Sequence, residues 1–234
     1  MEQIPEPNLG VGIRKISASL LAADFRRLVD SIHKAEDAGV DSFHIDIVDG
    51  HFAKNFSFGP DAVIAVREST KLPLSVHLEI DCPDEFLEVF IRAGADTIFF
   101  HKETSKDPLQ AIEYILRLGR RPGLALVPSA SFSHINNLVR LISSILVLGV
   151  PPGFGGATLN PNTVNKIRKL NDIKKNSSNS FEIVVDGGIN LNNIAELAAV
   201  GVDTFVIGTY LFTGNNIRNR VALLREKIET AARK

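Results

Sequence analysis

The tetrapeptide Ala38-Gly39-Val40-Asp41 decides the fold, because it recurs twice in similar form further along the chain. The other copies are Ala93-Gly94-Ala95-Asp96 and Val200-Gly201-Val202-Asp203. Each copy follows an amphipathic helical pattern, leaves that helix through a glycine suited to a C-terminal cap, and begins a β-rich run. The three copies therefore mark equivalent positions in a repeating strand–helix unit.

Short β-rich runs alternate with amphipathic stretches from one end of the sequence to the other. The predicted strands are Lys15–Ser19, Ser42–Val48, Leu74–Ile80, Thr97–His101, Pro122–Val127, Ile145–Gly149, Phe181–Asp186 and Val202–Ile207. The predicted helices are Asp24–Ala38, Pro60–Arg67, Pro83–Ala93, Pro108–Leu118, Ser133–Leu141, Pro161–Lys174, Leu191–Ala199 and Asn216–Arg233. Eight strand–helix pairs predict the α/β class and a single (β/α)8 TIM barrel, in which a parallel sheet closes on itself.

The competing architecture is an open doubly wound sheet, which carries a glycine-rich phosphate loop after its first strand. Here the first predicted strand continues into Leu20-Leu21, and the glycines cluster late in the chain, so the barrel is favoured. We predict an N-terminal tail over residues 1–14 and one barrel domain over residues 15–234. The polar stretch 174–180 is interpreted as a solvated loop on the face opposite barrel active sites.

Composition narrows the class of partner. The 26 Lys and Arg residues nearly balance 27 Asp and Glu residues, so neither a nucleic acid nor an anionic membrane is favoured as partner. The single cysteine, Cys82, excludes an intrachain disulfide framework and suits a reducing cytosol. The N-terminus does not resemble a signal peptide, and no apolar run approaches the ~20 residues of a membrane span. We expect a cytoplasmic protein, and a homo-oligomer, since such barrels commonly assemble.

Two histidines and two aspartates occur at the ends of three predicted strands, where barrel active sites lie. They are His44, Asp46, His77 and Asp186. Two imidazoles with two carboxylates suit a divalent metal, Zn²⁺ first, although Fe²⁺, Mn²⁺ and Co²⁺ are compatible with the same donors. Asp49 and His51 either orient a ligand imidazole or cap a turn. His101, at the end of the fourth strand, is also expected to face the site.

Glycine-rich turns follow the last three predicted strands. Backbone amides in such turns bind phosphate without hindrance from side chains, and phosphate sites recur in the last loops of this fold. We therefore predict a phosphorylated substrate. The residues of this predicted anion site are Gly153, Phe154, Gly155, Gly156, Gly187, Gly188, Gly208 and Thr209.

Paired carboxylates near a metal and an anion site favour proton-transfer chemistry. One carboxylate removes a proton α to a carbonyl and the other delivers a proton to the opposite face, while the metal stabilises the enediolate. The result is an epimerisation. A hydrolase with the same ligands would need an open position for activated water and one base. Nucleophilic catalysis by Cys82 is not favoured, because it precedes Pro83 with no evident base nearby.

The sequence resembles the ribulose-phosphate 3-epimerase family from about Ile16 to Phe212. The resemblance rests on five motifs, Ile16–Phe25, His44–Phe52, Val76–Leu78, Pro152–Gly156 and Val185–Ile189. It implies a metal-dependent barrel that interconverts D-ribulose 5-phosphate and D-xylulose 5-phosphate. It also implies Asp46 as proton acceptor, Asp186 as proton donor, and both as metal ligands with His44 and His77. The substrate contacts that it implies are Ser19, His77, Gly153, Phe154, Gly155, Gly156, Asp186, Gly187, Gly188, Gly208 and Thr209.

The lining of the predicted site departs from the family pattern. The family usually has three methionines over the intermediate, two asparagines and a glutamine nearby. The residues of this chain at those positions are Val48, Glu79, Leu148, Val127, Pro151 and Ala157. We expect the epimerase chemistry to be retained with an altered choice of ketose phosphate. D-Allulose 6-phosphate is the main alternative substrate, and a non-catalytic barrel that binds a sugar phosphate is a third hypothesis.

Overall fold

A closed parallel barrel is the framework of the chain. The computed structural model describes residues 14–132, 135, 137–177, 180–214 and 216–232, so residues 1–13 of the predicted tail lie outside the described residues. Each strand pairs with the next in sequence and the last strand pairs with the first, which confirms the predicted (β/α)8 topology. The strands are β1 (Lys15–Ser19), β2 (Ser42–Val48), β3 (Leu74–Glu79), β4 (Thr97–His101), β5 (Arg121–Leu126), β6 (Ser144–Leu148), β7 (Glu182–Asp186) and β8 (Thr204–Ile207).

Helices on the outside of the barrel connect most of the strands. They are α1 (Leu28–Asp37), α2 (Pro60–Ser69), α3 (Leu87–Ala93), α4 (Pro108–Arg117), α5 (Thr163–Asn176), α6 (Ile194–Ala199), α7 (Thr209–Phe212) and α8 (Ile217–Ala232). The short α7, directly after β8, is not predicted by the sequence pattern, because a single turn carries no measurable periodicity.

The predicted helix Ser133–Leu141 is wrong in its described part. Residues 137–141 form hydrogen-bonded turns, while Ser133, His134 and Asn136 lie outside the described residues. Ile135, Val139 and Ile142 are all buried, as their spacing predicts. Spacing of this kind reports which side chains face the core, and a series of turns satisfies it as well as a helix.

Alternate residues of each strand face opposite sides of the barrel wall. On β2, Ile45 and Ile47 belong to the large apolar layer between strands and helices, whereas His44 and Asp46 point inward. A separate small apolar cluster fills the interior, and its members are Phe99, Ala125, Leu146, Leu148, Val184 and Val206. These six residues come from β4 to β8, while the inward positions of β1 to β3 are polar apart from Val48. The interior is therefore apolar on one side and polar on the other.

The aspartate of each repeated tetrapeptide forms a hydrogen bond with the backbone at the start of a strand. The carboxylates of Asp41, Asp96 and Asp203 accept the backbone N–H groups of Ile16, Leu74 and Ile183 at 2.7, 2.9 and 2.7 Å, respectively. Each of the three preceding glycines has a positive φ, which explains why glycine ends the helix there. The repeat thus has one structural role at three places.

In the part of the chain that the structure describes, none of the helices combines the length and apolar character that crossing a membrane requires.

Candidate active site

A cavity of about 360 Å³ opens at the carboxyl ends of the strands. Its polar side is formed by Ser19, Asp46, Glu79 and Asp186, from β1, β2, β3 and β7. The glycine-rich loops after β6, β7 and β8 also line it. The cavity therefore brings the predicted catalytic groups and the predicted anion site together.

His44, Asp46, His77 and Asp186 converge at the base of this cavity, and all four are buried. Asp46 Oδ1 lies 3.2 Å from His44 Nε2 and 3.1 Å from His77 Nδ1. His44 Nε2 also lies 3.9 Å from Asp186 Oδ2, so this nitrogen faces both carboxylates. The pairing of β2 with β3 aligns Asp46 with His77, which explains the convergence of two residues far apart in sequence.

Ser75 fixes the protonation of the His44 ring. Its Oγ lies 2.8 Å from His44 Nδ1 and 3.2 Å from the carbonyl oxygen of Phe43. Because the hydroxyl donates its hydrogen to that carbonyl, it accepts one from His44 Nδ1. His44 Nε2 is then left with a lone pair, and it has no hydrogen-bond partner among the described residues.

His101 contacts the other ligand imidazole. Its Nε2 lies 3.0 Å from His77 Nε2, and both side chains are fully buried. The ring of Phe52 lies against His101 with the centroids 4.5 Å apart. His101 is thus held between an aromatic ring and His77, on the side of His77 that faces away from Asp46.

The two aspartates differ in their affinity for a proton. Burial alone would raise the pKa of Asp46, but the imidazoles of His44 and His77 outweigh it and lower the pKa strongly. Burial and the charge of Asp46 raise the pKa of Asp186 to about 7, against a smaller opposing effect of His44. Asp46 is therefore the ionised carboxylate of the pair, and Asp186 exchanges a proton near neutral pH.

The histidines also differ from ordinary imidazoles. Burial opposes protonation of His44, but the charges of Asp46 and Asp186 outweigh it, and the pKa of His44 is raised. Burial lowers the pKa of His77 despite the attraction of Asp46. Burial and the neighbouring His77 together depress the pKa of His101 well below its ordinary value. His101 is therefore a neutral hydrogen-bond partner.

Glu79 points into the cavity, two residues after His77 on β3. It is 3% exposed, and its carboxylate accepts the backbone N–H of Gly153 from the loop after β6. Burial and the charges of Asp46 and Asp186 raise its pKa to about 9. The side chain is thus a neutral carboxylic acid at pH 7 and presents a polar group to the substrate cavity.

The donor set fits a divalent cation. His44 Nε2 carries a buried lone pair that faces two carboxylate oxygens, an arrangement that is repulsive unless a proton or a cation lies between them. Two imidazole nitrogens and two carboxylates are donors that zinc and several other divalent metals accept. The four residues are therefore compatible with one divalent metal ion.

The glycine loops pack closely against neighbouring segments of the chain. A Cβ atom at Gly188 would lie 2.5 Å from the backbone nitrogen of Leu159, and one at Gly153 would lie 2.6 Å from the Ala53 side chain. Both glycines have a positive φ, so no other residue fits there without strain. Thr209, at the start of α7, faces Gly156, whose Cβ would lie 3.5 Å from the Thr209 Oγ1 atom.

Of the remaining predicted residues, Ser19 and Phe154 line the cavity, whereas Asp49 and His51 belong to a turn. Ser19 lines the cavity, and its Oγ donates to Asp46 Oδ2 at 3.1 Å. Phe154 also lines the cavity and is 55% exposed. Asp49 caps a turn, since its Oδ1 accepts the N–H groups of His51 and Phe52, and His51 is exposed. Of the two readings of this pair, the structure supports turn capping.

Ser75 was missed by the sequence reasoning. Its position two residues before His77 indicates that it faces inward on β3. Its contact with His44, however, depends on the register that pairs these two residues across β2 and β3. No single-strand pattern contains that register.

Comparison with known proteins places the chain among sugar-phosphate enzymes. A family model described as the ribulose-phosphate 3 epimerase family matches residues 15–212. Ribulose-phosphate 3-epimerase from Methanocaldococcus jannaschii is 38% identical over 212 residues, which span 91% of this chain and 90% of that protein. The Escherichia coli K12 enzyme of the same name is 33% identical over 214 residues, or 91% of this chain and 95% of that protein.

Solved structures support the fold alone. A 3-keto-L-gulonate-6-phosphate decarboxylase from Vibrio cholerae superposes with a TM-score of 0.71 and 17% identity, over 94% of this chain and 99% of that one. At such low identity the likeness extends to the barrel architecture and not to the reaction.

Proposed function

Since the chain belongs to the ribulose-phosphate 3 epimerase family, we propose that it interconverts D-ribulose 5-phosphate and D-xylulose 5-phosphate by proton transfer at C3. The family assigns it to the isomerases that act on carbohydrates. One observation supports the specific reaction most directly. Asp46 and Asp186, from β2 and β7, both line one cavity and both approach His44 Nε2, so a sugar carbon at that place meets two carboxylates.

We assign the proton removal to Asp46. The nearby imidazoles keep its carboxylate ionised, and the Ser19 hydroxyl holds it through Oδ2. Asp186, whose pKa is raised to about 7, is partly protonated at neutral pH and delivers its proton to the other face of C3. In the reverse direction the two roles exchange. A divalent cation held by His44, Asp46, His77 and Asp186 would supply a positive charge that acidifies the C3 proton.

The phosphate group would lie against the glycine loops. Gly155, Gly156, Gly188, Gly208 and Thr209 all line the cavity, and their backbone amides are the candidate donors. Such amides bind a phosphate at short range because no side chain intervenes. Gly153 and Phe154 precede them in the same wall, and Gly187 connects this wall to Asp186.

A second candidate substrate is a ketose 6-phosphate such as D-allulose 6-phosphate. The observation that favours it is Glu79, a polar side chain in the cavity that could bind an additional hydroxyl group. Comparison of kcat/KM for ribulose 5-phosphate and allulose 6-phosphate distinguishes the two candidates. A higher value for the hexulose phosphate would replace the proposed substrate and leave the proton-transfer chemistry in place.

The experiment that tests the reaction is NMR of ribulose 5-phosphate in D₂O with the metal-loaded protein. We expect deuterium at C3 and formation of xylulose 5-phosphate. Asp46→Asn should lower both rates by at least about 100-fold. Asp186→Asn should lower xylulose 5-phosphate formation by a similar factor, while slow deuterium uptake into ribulose 5-phosphate remains.

Asp172→Asn is the matched control, because Asp172 is an exposed aspartate on α5, away from the cavity. It should keep the wild-type rate. Wild-type rates in both Asp46→Asn and Asp186→Asn would contradict the two-carboxylate mechanism. Zinc as the metal, a homo-oligomeric state, a cytoplasmic location and one barrel domain over residues 15–234 stay predictions from the sequence.

A further inference from the structure

The lining of the cavity includes both acidic and basic side chains. Its described lining includes four Asp, Glu or Arg side chains, and three of them are the carboxyl groups of Asp46, Glu79 and Asp186 at the ends of β2, β3 and β7. The fourth is the guanidinium of Arg220, the fourth residue of α8. A cation from a helix outside the barrel therefore reaches the cavity on which the glycine loops also lie.

Arg220 is anchored by α7. Its Nη1 donates to the carbonyl oxygen of Tyr210 at 2.5 Å, and its Cζ lies 5.4 Å from the centroid of the Tyr210 ring. A Cβ atom at Gly214 would lie 3.3 Å from Nη2, so the glycine leaves room for the guanidinium. These contacts hold the side chain in place while they occupy one of its five N–H groups.

Arg220 has no acidic partner in the part of the chain that the structure describes. Within the described residues no carboxylate lies within 4.0 Å of its guanidinium, whereas Arg67, Arg120 and Arg225 each pair with an aspartate. Arg220 is also half-buried, so it has lost part of its hydration. A partly dehydrated cation with unused N–H groups and no counter-ion favours an anion in the adjoining space.

The surroundings of Arg220 indicate which class of anion binds beside it. Thr209 and Tyr210 follow β8 directly in α7, and Thr209 faces Gly156 of the loop after β6. Backbone amides and an arginine fork are together the groups that bind the oxygens of a phosphate monoester. We infer that Arg220 binds the phosphate of the substrate and makes this end of the cavity selective for a phosphate dianion.

This inference rests on the proposed function for the identity of the ligand, and it adds a specificity-determining side chain. The arrangement also orients the sugar, because a phosphate at Arg220 directs the rest of the ketose toward Asp46 and Asp186. An anion bound in the reverse orientation would place its negative charge beside three carboxyl groups, which is unfavourable.

Calorimetric titration of the metal-loaded protein with inorganic phosphate tests the inference without requiring any catalytic activity. Arg220→Gln should weaken phosphate binding by at least about tenfold, because it removes charge-assisted hydrogen bonds. Arg220→Lys keeps the charge without the fork and should weaken binding by less. Arg218→Gln is the matched control, an exposed arginine on the same helix that is absent from the cavity lining. It should bind phosphate as the wild type does.

Equal phosphate affinity in wild-type and Arg220→Gln protein would overturn the inference. An equal loss in Arg218→Gln would overturn it also, since the effect would then reflect net charge. If the protein epimerises ketose phosphates, Arg220→Gln should raise KM for ribulose 5-phosphate by about tenfold and leave kcat/KM for unphosphorylated ribulose unchanged. Absence of epimerase activity in the wild type would contradict the proposed function, while the phosphate titration would still decide the role of Arg220.

Discussion

The imidazoles of His77 and His101 face each other through their Nε2 atoms at 3.0 Å. One nitrogen must donate and the other must accept. If His77 binds a metal through Nδ1, its hydrogen lies on Nε2 and His101 is the acceptor. His101 then fixes the tautomer of His77 and increases the basicity of the nitrogen that faces Asp46.

We therefore expect His101→Phe to weaken divalent-metal binding by about 10- to 100-fold, as loss of an outer partner of a ligand histidine does. Phenylalanine keeps a ring against Phe52 but cannot accept the hydrogen bond. His101→Gln offers an amide oxygen and should recover part of the affinity. Chelator competition measures the metal dissociation constant.

His33→Phe serves as control, because His33 is exposed on α1, away from the cavity. An unchanged metal affinity in His101→Phe would show that His77 needs no acceptor at Nε2.

Glu79 makes the stability of the metal-free protein depend on pH. Its pKa is raised from 4.5 to about 9 by burial and by Asp46 and Asp186. Because the folded state holds this proton more tightly, the stabilisation is complete below the unfolded-state pKa and is lost as the pH rises toward 9. In Glu79→Gln, which has no such proton, this loss should be absent.

We expect the unfolding free energy of Glu79→Gln to exceed that of the wild type by a margin that grows from pH 6 to pH 9. The growth should be at most about 1.4 kcal/mol per pH unit. Urea unfolding in EDTA measures both proteins, with Glu113→Gln, at an exposed position on α4, as control. If the difference in unfolding free energy between the two proteins did not change with pH, the prediction that Glu79 is neutral in the folded protein would be wrong.

Glu79 also influences the choice of substrate. The reaction proposed passes through an anionic intermediate, and a carboxyl group near it raises its energy whenever the proton is lost. Above pH 9, where Glu79 has lost its proton, Glu79→Met should therefore increase kcat/KM for ribulose 5-phosphate by about tenfold, equivalent to ~1.4 kcal/mol of relieved repulsion. At pH 7, where Glu79 is neutral, the increase should be much smaller. The variant should lower kcat/KM for a ketose 6-phosphate that uses Glu79 as a hydroxyl partner.

Val48→Met provides the matched control for this change. Val48 pairs with Glu79 across β2 and β3, so the variant adds a methionine beside the same position without removing a carboxyl group. The two kcat/KM values, measured side by side for each variant, check the prediction. A similar gain in Val48→Met would mean that apolar volume, and not the loss of the carboxyl group, is responsible.

The barrel and the shared face of His44 and Asp46 could be predicted because both depend on local periodicity. His44 and Asp46 are two residues apart on one strand, so they share a face, and the repeated tetrapeptides mark the strand–helix unit. The same rule predicts that Glu79 faces inward with His77. Where the bounds of a strand are known, the alternation of side chains along it therefore identifies the residues that face inward.

Contacts between strands could not be predicted in this way. The bond of Ser75 to His44 depends on the register of β2 against β3, and the position of Arg220 depends on how α8 packs over α7. Both are set by packing of the whole barrel. The prediction of a helix at residues 137–141 was wrong for another reason. The spacing of buried apolar side chains there is compatible with turns as well as with a helix.

The repeated aspartates predict where the barrel is most sensitive to a single polar substitution. Asp96 accepts the N–H of Leu74 at 2.9 Å and pairs with Arg67 at 3.1 Å and Arg120 at 3.2 Å. Asp96→Ala leaves that N–H and both cations without this acceptor, so it should lower the unfolding free energy by about 2 kcal/mol. Asp96→Asn keeps an oxygen for Leu74 and should lose about half as much.

Urea denaturation measures these differences, and Asp172→Ala on the exposed side of α5 should stay within about 0.5 kcal/mol of the wild type. Metal affinity should be unchanged in Asp96→Ala, because Asp96 precedes β4 at the end of the barrel opposite the cavity. If Asp96→Ala and Asp172→Ala were equally stable, the aspartate would be merely a turn residue, and the recurrence of the tetrapeptide would need another physical cause.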